Sequence, residues 1–464
     1  MNTLALDLGS TRIKAARIDP RGKLVGFAER DAPPIVGENA TREFDPSAYL
    51  ALARAALDEL QPRHGERLGI ASQRSTFLLW RAEDGQPVSA AISWQDRSAA
   101  PWIDARVATQ AAVREVVAGL TGLTLSPHFV GPKLAALFER RPTLLSQAQS
   151  GSLRLGTLDT WLIWNWSRGK LHVTDATMAA RTLLFEPRSG QWNPTLTEMF
   201  GVPQACLPRV LPSSGRADEL SDGIVVGASV ADQSAGALHA VGSLPGGALI
   251  NIGTGTFVLV PCGSVFSQRA GYLTSLIHSD GLPEELSARR FALEGTINAG
   301  GSQVQRGERS EAMSTRELSQ EAFVLVDQNG IGAPHWRADL GPIWSRGASA
   351  LPPAARGGLA ELGLCFRVRE ILSDLEAIDS RLVVAGGALN EPGFAARLAS
   401  ALGRTLEISL EPEATLVGAA QLARGERLEH GRAGTELVEP ELARAPVDEH
   451  YERWRRWVRA QTGR

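Results

Sequence analysis

Near its start the chain carries the segment Ala5-Leu6-Asp7-Leu8-Gly9-Ser10-Thr11, and the architecture that we predict follows from it. An apolar run that leads into glycine and hydroxyl residues is typical of a buried strand ending in a tight turn. Residues 13–18 resume a strand-like pattern, and residues 23–29 repeat it after the turn at Asp19 and Pro20. We therefore predict an opening β-hairpin with a third strand beside it.

The same pattern returns much later, as Leu249-Ile250-Asn251-Ile252-Gly253-Thr254-Gly255. Gly253 lies 244 positions after Gly9, about half the chain, and the strand-like residues 257–261 follow it. Two such turns could arise by chance, but a duplicated domain explains both the pattern and its spacing. Two facing hairpins, each with backbone N–H groups beside a glycine and a hydroxyl, could hold a polyphosphate between them.

Length and element order predict an α/β protein of two large domains. A chain of 464 residues exceeds what one core usually serves, and helical patterns over residues 48–60 and 101–117 alternate with the strands. We expect one domain over residues 1–240, a second over 241–430 and a tail helix over 431–464.

The tail carries an apolar helical face made by Tyr451, Trp454, Trp457 and Val458, with arginines elsewhere. We expect this face to pack on the body of the protein or on a neighbouring subunit. A helix lying on a membrane surface is the alternative.

The composition favours a folded protein that acts on a small molecule. The net charge is −3, so no positive field would attract nucleic acid or an anionic membrane. The three cysteines, Cys206, Cys262 and Cys365, lack the number for full disulfide pairing and the spacing of metal ligands. With no signal-like start and no apolar run near the ~20 residues that cross a bilayer, we expect a soluble, cytoplasmic protein.

Asp7 is the first candidate for chemistry, because it closes a strand just before the Gly9 turn. A carboxylate there could hold a hydrated Mg²⁺ against phosphate oxygens, while Gly9 would let the backbone approach those phosphates closely. Further donors and positive charge would come from Ser10, Thr11 and Lys14. For an isolated aspartate, plain turn chemistry is the alternative.

Asp232 is the second candidate, at the junction where the apolar residues 225–231 open into a helix rich in small residues. A carboxylate at a helix start is stabilised by N–H groups and can accept a proton from an attacking hydroxyl. A simple helix N-cap is the alternative.

A glycine pair, Gly386 and Gly387, ends the apolar run 382–385. Glycines at that point let the backbone approach something flat or bulky, such as a nucleoside. The alternative is a tight turn between a strand and a helix.

These segments and several others resemble, in order, the FGGY family of carbohydrate kinases, within the actin/Hsp70-like ATPase superfamily, and are most similar to its glycerol kinases. The resemblance spans about residues 3–423 and includes Gln73-Arg74, Trp94-Gln95, Gly156-Thr157-Leu158-Asp159-Thr160-Trp161, Val173-Thr174-Asp175, Leu293-Glu294-Gly295, Gly330-Ile331-Gly332-Ala333-Pro334 and Glu413-Ala414-Thr415-Leu416-Val417-Gly418. It implies two ribonuclease-H-like domains around a cleft, in which ATP, with Mg²⁺, phosphorylates a hydroxyl of a small polyol or sugar.

The resemblance also implies roles for individual residues. Asp232 would be the catalytic base, with Gln233 beside it near the substrate, and Asp7 would organise Mg²⁺. The residues expected to meet the transferred phosphate are Gly9, Ser10, Thr11 and Lys14, and those facing the other nucleotide phosphates are Gly253 and Thr254. The residues expected to flank adenosine are Gly300, Gly386 and Gly387, and those expected to line the polyol pocket are Arg74, Trp94 and Phe257.

Two positions depart from the glycerol kinases that the chain resembles. Ser75 stands where they carry an acidic residue after the pocket arginine, and His128 stands where they carry a tyrosine. We therefore expect both residues at the substrate and a substrate other than glycerol: a longer polyol, a keto sugar, or an anionic one bound by His128 and Arg74. His128 as an aromatic spacer, a genuine glycerol kinase, and a silent sugar- and nucleotide-binding regulator are the alternatives. A homodimer or higher homo-oligomer is also left open.

Overall fold

Two β-sheets organise the protein, as a computed structural model describes it over residues 1–281, 285–301, 321–328 and 330–463. The strands in this part of the chain are β1 Thr3–Leu8, β2 Arg12–Ile18, β3 Leu24–Asp31, β4 Glu43–Phe44, β5 Arg67–Ser72, β6 Phe77–Arg81, β7 Ala91–Ile92, β8 Leu153–Thr157, β9 Val173–Asp175, β10 Phe185–Glu186, β11 Gln191–Trp192, β12 Arg209–Leu211, β13 Asp218–Glu219, β14 Val225–Ala231, β15 Gly247–Ile252, β16 Thr256–Gly263, β17 Leu273–Ser279, β18 Arg289–Ile297, β19 Val324–Leu325, β20 Ile343–Trp344, β21 Arg381–Ala385, β22 Leu406–Ser409 and β23 Thr435–Val438.

Helices cover these sheets. Over the same ranges they are α1 Pro46–Glu59, α2 Ala100–Thr109, α3 Val113–Thr121, α4 Val130–Arg140, α5 Pro142–Gln149, α6 Leu158–Trp166, α7 Ala176–Ala180, α8 Pro194–Met199, α9 Asp232–Ala240, α10 Arg346–Ser349, α11 Pro353–Asp374, α12 Phe394–Leu402, α13 Ala414–Ala423 and α14 Arg444–Thr462.

The first sheet has the order β13-β14-β5-β1-β2-β3. The β1–β2 and β2–β3 pairs are antiparallel, whereas β5 runs parallel to both β1 and β14. Leu4, Leu6 and Leu8 point to a core that includes α1, while Ala5 points to the opposite face, where α9 and α13 pack. Because both faces are covered, β1 reads as a nearly continuous apolar run.

The second sheet repeats this arrangement in the order β17-β18-β16-β15-β21-β22-β23. Its first strand, β15, pairs antiparallel with β16 and parallel with β21, just as β1 pairs with β2 and β5. β1 occupies residues 3–8 and β15 residues 247–252, so the two strands have the same spacing as the two glycines. The predicted hairpins and the duplicated α/β domain are confirmed.

α9 and α13 lie between the two sheets, in one core that contains apolar residues of both. Glycines allow this close packing, because a Cβ on Gly69 of β5 would lie 2.1 Å from the carbonyl oxygen of Ala419, and one on Gly418 would lie 2.1 Å from that of Ala235. The second half of the chain thus supplies a helix to the first sheet. This packing fixes the axis of α9, whose first residue is Asp232.

One of the predicted helices is divided in the structure. The single helix predicted over residues 101–117 is wrong: α2 ends at Thr109, and α3 starts at Val113. Ile103 of α2 and both Val113 and Val117 of α3 are buried in the same core.

The expectation that the tail packs on the body is confirmed. In α14 the side chains of Tyr451, Trp454 and Val458 are buried in the core of the second half, and the indole N–H of Trp454 donates to the carbonyl oxygen of Val324 at 2.9 Å. Its apolar face is therefore covered by protein rather than free for a membrane surface. Among the described residues, no helix has the length and apolar character needed to span a bilayer.

Candidate active site

Asp232 stands where β14 ends and α9 begins. The N–H of the preceding Ala231 donates to the Thr177 hydroxyl at 2.8 Å, and one Asp232 carboxylate oxygen accepts from the N–H of Gln233 at 2.7 Å. Burial raises the pKa of Asp232, while the positive charges of Arg74 and Arg181 partly offset this effect. A carboxylate that is firmly held and more basic than an ordinary aspartate suits proton abstraction from a hydroxyl.

Asp7 faces the same cleft as Asp232. Burial and the negative charge of Asp232 raise the pKa of Asp7 to about 8, and Glu413 adds to the effect while Lys14 opposes it. The hydroxyl of Tyr49 donates to the Gly9 carbonyl oxygen at 2.9 Å, which fixes the turn beside Asp7. The structure therefore brings together two carboxylates that repel each other, and a cation between phosphate and carboxylate would relieve that repulsion.

The Asp7 side chain fits the role of a magnesium ligand. Mg²⁺ keeps several waters and is usually held by one or two carboxylates plus substrate phosphates, rather than by a cage of protein ligands. Among the described residues, no group of three or more histidine, cysteine, aspartate and glutamate side chains could hold a metal by itself. A single carboxylate beside a phosphate-binding turn matches this mode of binding.

Lys14 lies opposite Asp7 in the β1–β2 hairpin. Its ammonium group donates to the Glu413 carboxylate at 2.7 Å, and Glu413 directly precedes α13. Lys14 is therefore close to the predicted phosphate site and held by a carboxylate from the other half of the chain. Of the other predicted phosphate contacts, Ser10 is partly exposed and Thr11 is exposed at the hairpin turn.

An ion cluster crosses from one half of the chain to the other beside Asp232. Arg74 donates to both oxygens of Glu294, at 3.1 and 3.2 Å, and also to the Gln233 side chain. Arg181 contacts the same Glu294 at 3.4 Å. Burial alone would raise the pKa of Glu294, but Arg181 and Arg74 outweigh it and hold this pKa far below its usual range. The cluster therefore contains two cations and one firmly ionised carboxylate.

Sequence reasoning gave Arg181 and Glu294 no role. Glu294 had a detectable signal, because a lone carboxylate in the apolar strand 291–297 must find a buried partner. Arg181 had none, since it follows the short α7 like any residue at a helix end. Its guanidinium also stacks on the Phe129 ring at 5.5 Å, a contact that only the folded chain reveals.

Ser75 contacts Arg181 of this cluster, whereas His128 contacts the loop that carries Trp94. The Ser75 hydroxyl is buried and donates to the Arg181 carbonyl oxygen at 3.0 Å. His128 Nδ1 lies 3.2 Å from the Trp94 carbonyl oxygen, so Nδ1 carries the hydrogen and Nε2 is left as an acceptor. Burial lowers the pKa of His128, and Lys133 and Arg97 add to this effect. This direction favours the neutral ring over the positively charged His128 that the sequence led us to expect.

The predicted nucleotide glycines converge in the second half. A Cβ on Gly300 would lie 2.2 Å from the Gly253 carbonyl oxygen, and Gly386, at φ +108°, would place one 2.4 Å from the Ile252 carbonyl oxygen. A Cβ on Gly387 would meet no atom within 4 Å. The loop after β18, the β15–β16 turn and the turn after β21 thus form one surface, with Thr254 exposed on it.

The two predicted aromatic pocket residues come from different halves. Phe257 lies on β16 and pairs with Asn251 in the hairpin register. Trp94 lies on the loop after β7 and is 40% exposed. They contribute apolar surface from each half of the chain.

Both halves match one protein family. Residues 2–233 match the N-terminal domain of the FGGY family of carbohydrate kinases, and residues 248–424 match its C-terminal domain. The chain belongs to this family. It is 32% identical to the glycerol kinase of Alkalilimnicola ehrlichii, over 99% of this chain and 98% of that protein.

Solved structures of FGGY kinases share the fold. Plasmodium falciparum glycerol kinase, determined with ADP, superposes with a TM-score of 0.82 at 19% identity and covers 99% of this chain and 98% of its own. A ligand-bound xylulose kinase from Lactobacillus acidophilus superposes with a TM-score of 0.83 at 17% identity, with the same coverage. This FGGY kinase therefore has two ribonuclease-H-like domains and is an ATP-dependent phosphotransferase that works with Mg²⁺.

Proposed function

We propose that this FGGY kinase transfers the γ-phosphoryl group of ATP to a hydroxyl of a small neutral polyol or keto sugar other than glycerol, with Asp232 as the base. The observation that carries the proposal is the position of Asp232, at a helix start between the Arg74–Glu294–Arg181 cluster and Asp7. In that position one carboxylate can reach the acceptor hydroxyl while a phosphate lies at the first hairpin.

The reaction requires alignment more than covalent chemistry. As the acceptor oxygen bonds to the γ-phosphorus, the bond from that phosphorus to its bridging oxygen breaks, and the hydroxyl proton passes to Asp232. Mg²⁺, when bound at Asp7, neutralises phosphate charge. The glycines Gly253, Gly300 and Gly386 leave room for the nucleotide beside the backbone, and the packing of α9 holds Asp232 in line.

The charges at the acceptor side favour a neutral substrate. Arg74 and Arg181 face Glu294 and Asp232, and burial favours the neutral form of His128. Among these buried groups no cation is left without a carboxylate, and the nearby Arg97 is exposed to solvent. A buried anion without a partner is costly. This count argues against the anionic substrate that the sequence had left open.

The hydrogen-bonding groups favour an acceptor other than glycerol. The Ser75 hydroxyl donates to a backbone carbonyl and carries no charge, so it is a weaker acceptor than the carboxylate of glycerol kinases. His128 Nε2 supplies a neutral acceptor instead. Sites that lose a buried polar partner discriminate strongly against the substrate that needs it.

Glycerol is the second candidate, because the 32% identity to a glycerol kinase extends over 99% of this chain. A coupled assay of ADP release, run with glycerol, tetritols, ketopentoses and aldonic acids, separates the candidates. We expect the highest kcat/KM for a ketose or for a neutral polyol other than glycerol. Highest turnover of glycerol would establish the second candidate, and highest turnover of an aldonic acid would refute the charge argument.

A further inference from the structure

We propose that Lys133 is a positioning residue for the acceptor: it fixes the loop of residues 93–96, here called the Trp94 loop, and thereby sets the affinity for the sugar or polyol. This inference rests on the proposed function in one respect, namely that Trp94 contacts the acceptor.

Lys133 is buried to an unusual degree for a lysine. Lys133 lies on α4 and is 1% exposed, and Leu134 and Leu137 of the same helix are buried in the neighbouring core. Its ammonium group donates to the Ser93 carbonyl oxygen at 2.6 Å. Burial lowers the pKa of Lys133 to about 7, and the negative charge of Asp96 partly offsets this effect. An ammonium group is costly to bury unless it is paired. We therefore infer that the buried Lys133 has a function at this loop.

The Trp94 loop is held by its backbone on several sides. The N–H of Trp94 donates to the Thr76 hydroxyl at 3.0 Å, and that hydroxyl donates to the Gln73 side chain at 2.9 Å. The Asp96 carboxylate, on a residue that is 1% exposed, accepts the N–H of Arg42 at 2.7 Å. The loop is thereby connected to the residue that precedes Arg74.

Lys133 and His128 hold two successive carbonyl groups of this loop, those of Ser93 and Trp94. The Trp94 side chain itself is 40% exposed, so core packing does not fix its orientation. Its direction depends on the backbone hydrogen bonds that flank it. Removing the Lys133 ammonium group would leave the Ser93 carbonyl oxygen with the Asp96 N–H, at 3.1 Å, as its remaining donor. We expect the loop to loosen and Trp94 to shift.

The test compares Lys133→Met with Lys170→Met, an exposed lysine far from the loop in the sequence. Methionine keeps the apolar length of the buried stem and removes the donor. With the acceptor that the wild type phosphorylates best, we expect Lys133→Met to raise KM for that acceptor about tenfold, while KM for ATP stays within twofold. We expect Lys170→Met to match the wild type. An unchanged acceptor KM, or equal losses for ATP and acceptor, would overturn the proposal.

A double-mutant cycle shows whether Lys133 acts through Trp94. If it does, Lys133→Met adds little to the acceptor KM of Trp94→Ala, because the affected contact is already lost. Fully additive effects would mean that Lys133 acts elsewhere.

Limited trypsin digestion at Arg97, just after the loop, gives a readout that needs no substrate. We expect faster cleavage at this site in Lys133→Met, and an unchanged rate would count against the proposal. If Lys133→Met does not fold, Lys133→Gln, which keeps a shorter donor, replaces it. We expect this variant to show smaller increases in the acceptor KM and in the rate of cleavage at Arg97. If the wild type phosphorylates no neutral acceptor, the proposed function fails, while the digestion still tests Lys133.

Discussion

At Asp232, burial and two arginines act in opposite directions on one carboxylate. Burial raises the pKa of Asp232, whereas the charges of Arg74 and Arg181 partly offset this rise. The same arginines meet Glu294, which has no such basicity because its pKa lies far below the usual range. Under the proposed function, these two nearby carboxylates have different roles: Asp232 acts as the base, and Glu294 is the counter-charge of the arginines.

Replacing Asp232 by asparagine tests the base directly. We expect kcat to fall by about 10²–10⁴-fold, the usual contribution of a general base, with KM for ATP nearly unchanged. The measurement is acceptor-dependent ADP release, with Asp104→Asn, an exposed residue on α2, as the matched control. Undiminished turnover would remove Asp232 from the mechanism.

The pH dependence of kcat/KM follows from the direction of the Asp232 pKa. The base works when deprotonated, so activity should rise as pH increases through that pKa. Because burial raises it, the acid limb should lie above the value of about 3.9 for a free aspartate. Steady-state rates across the acidic range would show this limb, and an acid limb at or below the free value would contradict the assignment.

Individual site residues were predictable where a reactive side chain stands at a strand end that the sequence pattern reveals. Asp7 and Asp232 stand at strand ends beside a glycine turn and a helix start, which the sequence displays. Arg181 was not predictable, because its partners, Glu294 and Ser275, come from more than ninety positions away. The burial of His128, which lowers its pKa, was not predictable, since it depends on tertiary packing.

Among the elements, the glycine-lined surface of the second half tolerates little added volume. Gly300→Ala would drive a Cβ into the Gly253 carbonyl oxygen, 2.2 Å away. Overpacking of this kind costs about 1–3 kcal/mol, so we expect a lower melting temperature and a KM for ATP raised about tenfold.

Thermal unfolding and ATP kinetics would measure both effects. Gly434→Ala is the matched control, because a Cβ there meets no atom within 4 Å and should change neither quantity. Wild-type affinity for ATP in Gly300→Ala would separate this glycine from the nucleotide site.

Elements were predictable where periodicity is local. The opening hairpin, the strand before Asp232 and the helix after it follow from residue patterns alone. The break between α2 and α3 does not, because the apolar residues Ile103, Val113 and Val117 keep a helical spacing across it. The position of α13 between the sheets is likewise tertiary information.

At the scale of the whole molecule, Glu294 joins the two halves through Arg74 and Arg181. Breaking a buried ion pair by removing one partner costs about 3–5 kcal/mol. We expect Glu294→Gln to lower the melting temperature by several degrees and to raise KM for the acceptor, because both arginines lose their anchor.

The matched control is Glu376→Gln, whose pair with Arg269 is exposed. Exposed pairs contribute roughly 0–1 kcal/mol, so this variant should resemble the wild type. Equal behaviour of the two variants in thermal unfolding and acceptor kinetics would refute a special role for Glu294.

The two-domain plan was predictable because a duplication leaves the same strand and turn twice in one sequence. The way in which the halves meet was not, since it depends on side chains that are unremarkable in isolation. Lys14 and Glu413 illustrate this, as they form an ion pair across 399 positions.

The two copies of the strand and turn differ in charge at one position, and under the proposed function this has a consequence for the nucleotide. Equivalent strands carry Asp7 in one copy and Asn251 in the other. A cleft with mirror-like walls would accept an unsymmetrical cofactor in either of two opposite orientations. One wall carries a carboxylate and the other an uncharged amide. Under the proposed function, this difference and the glycines of the second half together admit the donor in a single sense, with its reactive end toward Asp7.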